Sequence, residues 1–155
     1  MGIYNFETGE LSLSTKNDIH FNLQLRPRIT VIKGDSATGK SLLWKTIENI
    51  KYTEKDITSE QVAANIELIN RRTDVTKIEQ YLASMGKLII IDNADLLFRE
   101  DHSYSENIAS STGNHFLIFS RDTADLGVTP NHYGEFLMNG KTISVSYAYT
   151  VPGWM

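Results

Sequence analysis

Eight consecutive residues constrain this chain more than any other stretch: Gly34-Asp35-Ser36-Ala37-Thr38-Gly39-Lys40-Ser41. They stand between a short β-branched run, Ile29-Thr30-Val31-Ile32, and a segment from Lys40 to Ile50 in which Leu43, Ile47 and Ile50 recur at helical spacing. Strand, tight loop and helix therefore follow in succession. The two glycines let the backbone turn so that successive N–H groups converge on one point. The start of the helix adds the positive end of its dipole there, which makes a concave site for an anion. A lysine and a hydroxyl at the next two positions suit a phosphate chain and its metal ion. A chance match to this spacing in a chain of such length has odds of roughly 0.6%. The strand-before, helix-after setting lowers those odds further.

The other segments build outward from this one. The 155 residues suit one domain, 1–155, able to bury a real core. From residue 3 to 26 apolar and polar residues alternate (Leu11, Leu13, then Ile19, Phe21, Leu23, Leu25), with turn residues at Thr8-Gly9 and Lys16-Asn17-Asp18. This pattern predicts an antiparallel meander with one wet face. A helix is expected from Thr58 or Ser59 with Val62, Ile66 and Ile69 inward, and another from Asp74 to Gly86 with Val75, Ile78, Leu82 and Met85 inward. Lys87-Leu88-Ile89-Ile90-Ile91-Asp92 is apolar on both faces, as a central strand of a covered parallel sheet must be. A short helix is expected between Glu100 and Ser111, then a buried strand Phe116–Phe119 ending at Ser120-Arg121. Asn139-Gly140, flanked by Phe136-Leu137-Met138 and by Ile143, Val145, Tyr147 and Tyr149, is a hairpin signal.

Composition closes off several classes. With no cysteine there is no disulfide, thiolate metal site or cysteine nucleophile. A formal charge of -4 gives no basic balance toward nucleic acid. The longest aliphatic run, Leu88 to Ile91, is too short to span a bilayer, and Met1 to Phe6 lacks the apolar core of a signal peptide. A cytoplasmic protein is expected. The four histidines show no metal-ligand spacing.

Gly34 to Ser41 match G-x-x-x-x-G-K-[ST], and on those residues the chain resembles the P-loop NTPase superfamily. Leu88-Ile89-Ile90-Ile91-Asp92 is similar to its Walker B strand, and the pattern as a whole to the ATPase branch with an additional central strand, a minimal ABC- or AAA-type core. The resemblance implies an α/β fold: a three-layer P-loop sandwich with a parallel core sheet, extended by antiparallel strands at the amino- and carboxyl-terminal ends. It implies ATP and Mg²⁺ as ligands. Gly34, Asp35, Ser36, Ala37, Thr38, Gly39, Lys40, Ser41 and Leu42 would hold the phosphates, and Ser41 and Asp92 the metal. Lys40, Ser120 and Arg121 would act on the γ-phosphate. No guanine-specificity motif is present, so ATP is expected over GTP.

The departures matter as much. Where this branch commonly carries a glutamate after the Walker B aspartate, the chain has Asn93, which can orient a water but cannot take its proton. Asp95 is the nearby carboxylate able to substitute, or equally to cap a helix. No L-S-G-G-Q signature, helical lid or helicase motif follows. The expectation is a slow or partner-stimulated ATPase working with a protein partner or a second copy. The alternatives are a nucleotide-gated regulatory module with little hydrolysis, and a small-molecule kinase. Arg71-Arg72 reads as a helix end, and an arginine finger there is less favoured than a solvated pair. Tyr4, Phe6 or Phe21 could stack on a base, with core packing the favoured reading of each.

Overall fold

The computed structural model describes residues 3–26, 28–33, 39–53, 64–94, Leu97, 103–120 and 132–150. Nine strands form one mixed sheet: β1 (Tyr4–Asn5), β2 (Glu10–Ser14), β3 (His20–Gln24), β4 (Ile29–Lys33), β5 (Ile66–Ile69), β6 (Leu88–Ile91), β7 (His115–Ser120), β8 (His132–Asn139) and β9 (Thr142–Thr150). Their spatial order is β1-β2-β3-β9-β8-β4-β7-β6-β5. Three α-helices are described, α1 (Lys40–Glu48), α2 (Val75–Ala83) and α3 (Ser103–Ser110), with a π-helical turn, Asn49–Thr53, continuing α1.

This architecture overturns the helix-rich three-layer sandwich expected from the sequence. The protein is mostly strand, with 28% of residues helical, and its sheet curls into a nearly closed barrel. The reason is hydrogen bonding between elements far apart in the chain. The amino-terminal meander and the carboxyl-terminal hairpin are not appendages at the ends of a separate core. β9 pairs with β8 antiparallel and with β3 in parallel, at His20↔Thr142 and Phe21↔Ile143, so all nine strands share one sheet. Strand twist accumulates across so many strands and bends the sheet round. The Asn65 side-chain amide, just before edge strand β5, donates to the Tyr4 carbonyl in the opposite edge strand β1 at 2.8 Å.

The curl divides the apolar residues between two cores. On one face Leu11, Phe21, Leu23, Ile32, Ile90, Leu117, Phe119, Phe136 and Ile143 pack around Leu43 and Ile47 of α1. On the other face Ile29, Val31, Ile89, Ile91, Phe116 and Ile118 pack under Ile78 and Leu82 of α2 and Ile108 of α3. The parallel strands β4, β5, β6 and β7 are thus covered on both sides, and all four residues of β6 are buried. The placement follows from handedness. Passing from β4 to β5 moves the chain outward past two strands, while β5 to β6 to β7 moves it back. Right-handed crossovers in opposite directions require helices on opposite faces.

Local expectations met mixed outcomes. The meander is antiparallel, with buried and exposed residues alternating in β2 and β3. Its turns carry left-handed residues at Gly9 and Asp18, and the Asn139-Gly140 hairpin carries one at Gly140. Residues 58–63 of the expected second helix lie outside the described residues, but Ile66–Ile69 is strand β5 rather than helix. Four residues, Ile-Glu-Leu-Ile, fit either period, and pairing with β6 decided it. Helix α2 begins as expected, with the Asp74 side chain accepting from the Thr76 N–H, yet it ends at Ala83. Met85 lies past its end and Val75 in its first turn, and both are exposed; the inner stripe is Ile78 and Leu82 alone.

Candidate functional site

The carboxyl ends of β4, β6 and β7 come together along one edge of the parallel section. β4 and β7 run side by side with Lys33 beside Ser120, and β7 lies against β6 with Ile91 beside Ile118. At that edge Asp92 follows β6 and Ser120 closes β7, while Gly39 to Ser41 open the helix that comes after β4.

Gly39 is the N-cap of α1, with φ of 86°, a left-handed value that glycine adopts without strain. It is also pressed for space. A Cβ there would stand 2.9 Å from Ile143 Cδ1 and 3.4 Å from Phe136 Cδ2. Its lack of a side chain leaves the first-turn N–H groups of α1 without a side-chain cap. The first turn contains no acidic residue and begins with Lys40, a cation at the positive end of the helix dipole. Lys40 Nζ lies 5.9 Å from the centre of the Phe119 ring, which directs the ammonium toward the end of β7. Ser41 is exposed, and Leu42 packs partly buried against the core.

Asp92 is half-buried. Its N–H donates to the Ile69 carbonyl at 2.9 Å, which holds it at the end of β5 as well as β6. Asn93 has φ of 51°, a left-handed backbone that asparagine tolerates better than most side chains. Its N–H donates to Asp92 Oδ1 at 3.0 Å, so one oxygen of that carboxylate is already fixed by the next residue. Ser120 is buried at 2% exposure. Gly34, Asp35, Ser36, Ala37 and Thr38, together with Asp95 and Arg121, lie outside the described residues. Among the described residues no group of three or more His, Asp or Glu side chains is clustered as metal ligands.

Of the aromatic residues considered for base stacking, Tyr4 and Phe6 are elsewhere, whereas Phe21 lies against Gly39, its Cε1 3.5 Å from where a Cβ there would stand. Phe6 stacks on His115 with ring centres 3.9 Å apart, and the Tyr4 hydroxyl hydrogen-bonds His115 Nδ1. His115 begins β7 while Ser120 ends it, about 17 Å away at 3.3 Å per residue. Burial pushes the Tyr4 hydroxyl pKa well up, and burial with the nearby Arg28 guanidinium holds the His115 imidazole below its ordinary value. Phe21 is buried in the core. All three act in packing. Arg71 and Arg72 precede α2 in a loop rather than ending a helix, because the segment before them is β5.

Two constellations escaped the sequence reading. Glu67 in β5 pairs with Lys51 at 3.1 Å and Lys87 at 2.6 Å, fastening the π-helical turn to the sheet. From Asn70 to Asp74 the chain folds on itself: the Asn70 N–H donates to Thr73 Oγ1 at 2.9 Å, and Asn70 Oδ1 accepts the Arg72 N–H at 2.8 Å. The only local signal for this loop was Asn70 and Thr73 at turn spacing. No helix among the described residues is long and apolar enough to cross a membrane. Comparison with models of known protein families finds no match, and comparison with curated proteins finds none either.

Proposed function

We propose that this chain binds Mg-ATP at the carboxyl edge of β4, β6 and β7, and that it hydrolyses the nucleotide slowly or under stimulation by a protein partner or a second copy. One observation carries the reading: α1 opens on an uncapped glycine followed by a lysine, with no acidic residue in its first turn. A lysine at the positive end of a helix dipole is unfavourable by a few tenths of a kcal/mol or more. An anion bound there reverses the sign by engaging the first-turn N–H groups and the ammonium together. The sequence around it, Gly34 to Ser41, supplies the spacing that fits a triphosphate, with Ser41 and Asp92 to hold Mg²⁺ and Ser120 and Arg121 to meet the γ-phosphate. Lys40 would neutralise phosphate charge. Asp95 is the residue to position water for in-line attack.

A second reading, a nucleotide-gated regulatory module that hardly hydrolyses, draws support from Asn93. Its amide cannot accept a proton, and its backbone N–H occupies one oxygen of Asp92. A thermal-shift titration with ATP, ADP, GTP and a non-hydrolysable analogue, with and without Mg²⁺, tests binding, because a ligand at a hundredfold its Kd stabilises by about 2.7 kcal/mol. A Mg²⁺-dependent rise with ATP that Lys40→Ala abolishes is expected. No rise with any nucleotide sinks both readings. Single-turnover hydrolysis then separates them: a rate that Asp95→Ala lowers supports the ATPase, and no rate above buffer supports the gated module.

A further inference from the structure

A second opening lies beside the edge that carries Asp92, between α1, the β5 edge and α2. It is a cavity of about 280 Å³, walled by Trp44 and Tyr52 on one side and by Tyr81 on the other, with Asn70, Arg72 and Lys77 at its rim. We propose that this cavity binds a small molecule combining one flat ring with an anionic group, a carboxylate or a phosphate monoester. The inference stands apart from the nucleotide reading, since none of its residues belongs to the phosphate loop.

Size decides the class first. Ligand pockets usually run from about 300 to 1,000 Å³, so a cavity just under that range takes a single ring and one substituent, and is too small for a whole nucleotide. The walls decide the ring. Trp44 is half-buried against one core cluster, Tyr81 packs partly against the other, and Tyr52 lies beside Tyr81. Three aromatic side chains around one cavity offer faces and edges to a flat guest.

The rim decides the charge. Arg72 and Lys77 are both exposed, and no ion pair among the described residues engages either side chain. Of the two carboxylates that also line the cavity, Asp74 is occupied in capping α2 through the Thr76 N–H at 3.1 Å, and Glu48 lies across on the α1 wall. Arg72 and Lys77 thus bring two cations to the lining on the α2 side, against the charges of Glu48 and Asp74. A fork of N–H donors from Arg72 suits the paired oxygens of a carboxylate or phosphate.

The site is also held in shape before any ligand arrives, which lowers the ordering cost of binding. The Asn70–Asp74 loop is cross-linked by its own Asn70 and Thr73 hydrogen bonds. The Lys51–Glu67–Lys87 ion pairs fasten the turn that bears Tyr52, and Lys87 Nζ lies 5.9 Å from the Tyr81 ring. Burial and the nearby Tyr81 and Glu67 push the Tyr52 hydroxyl up to about 12. The cavity borders the end of β5, where the Ile69 carbonyl, one residue before Asn70, accepts the Asp92 N–H.

The chain has two tryptophans, so Trp154→Phe leaves Trp44 as the only indole reporter. Emission of that variant, without nucleotide, is titrated with phenyl phosphate, benzoate, benzyl alcohol and inorganic phosphate. A saturable change is expected with phenyl phosphate or benzoate, at least tenfold tighter than with benzyl alcohol or inorganic phosphate. Whichever anion saturates identifies the phosphate or the carboxylate form. Arg72→Ala and Lys77→Ala, both at exposed positions, should each weaken binding about tenfold, as loss of a charge-assisted hydrogen bond does. Saturation-transfer NMR repeats the titration independently of fluorescence. The proposal is overturned if neither anion binds by either method, if benzyl alcohol binds as tightly, or if both substitutions leave affinity unchanged.

Discussion

The parallel and antiparallel halves of the sheet are made from the same kinds of residue yet solve different problems. β4 to β7 are buried on both faces, under α1 on one side and α2 and α3 on the other. β2 and β3 bury every second residue and leave the rest in water. The covered half must bury or pair a polar group that lies within a strand, as it does Thr30 and Glu67, whereas Asp92 and Ser120 stand where its strands end. The wet half can place them anywhere along a strand, and it spends them on solubility and turn hydrogen bonds. The difference explains why a site built on sheet edges belongs to the covered half.

Substitution can break that comparison. Ile89 and Ile90 are adjacent in β6 and face opposite cores. Each truncation to Ala should cost about 2–5 kcal/mol in chemical denaturation. Ser12→Ala, at an outward position in β2, should stay within about 0.5 kcal/mol. Equal costs at Ile89 and Ser12 would mean that the second face is not truly covered. Next in size is Gly39→Ala at the seam between the halves. There φ is 86° and Ile143 of β9 stands 2.9 Å from the added methyl. A left-handed alanine costs about 1–2 kcal/mol before the clash is relieved. Asp74→Ala removes the cap of α2 and should lower stability by about 1 kcal/mol while leaving the meander's hydrogen exchange unchanged.

The smallest expected effect is one of pH. His115 joins the halves, taking Phe6 and Tyr4 of the meander side at the start of β7. Its folded pKa lies below the ordinary value of 6.5, so the neutral ring is favoured in the fold. The unfolded chain then takes up the proton first, and stability falls as pH drops below 6.5 toward the folded pKa. In His115→Gln, denaturation at pH 8 and pH 5 should show a smaller loss than in the parent chain. An equal loss would show that the ring does not couple the halves.

The sequence was most legible where burial is uniform or strictly alternating. Leu88 to Ile91 could only be a covered strand, and Leu11, Leu13, Phe21 and Leu23 only a half-wet meander. It misled where a short segment fits two periods, as at Ile66–Ile69, where pairing with β6 settled what four residues could not. Long-range pairing was invisible in principle: no local signal told that β9 would join β3, and that single junction turned an expected sandwich into a curled sheet. For the candidate site, residue types and spacing were readable at Gly39, Lys40 and Asp92. The Asn70–Asp74 loop and the Lys51–Glu67–Lys87 pairing were not, because they depend on side chains that meet only after the strands are in place.

The β3–β9 junction also sets an order of events. The Tyr147 hydroxyl donates to the Gln24 carbonyl and accepts the Arg26 N–H, the latter pair 121 residues apart in the chain. Closing such a loop costs chain entropy that no early contact repays. During synthesis the meander emerges first and must keep one sheet edge exposed until the carboxyl-terminal hairpin is made. The charged and polar residues that alternate along β2 and β3 protect that waiting edge from other chains. Their role is then as much temporal as structural: they keep a half-built barrel soluble for the interval in which its last strand does not yet exist.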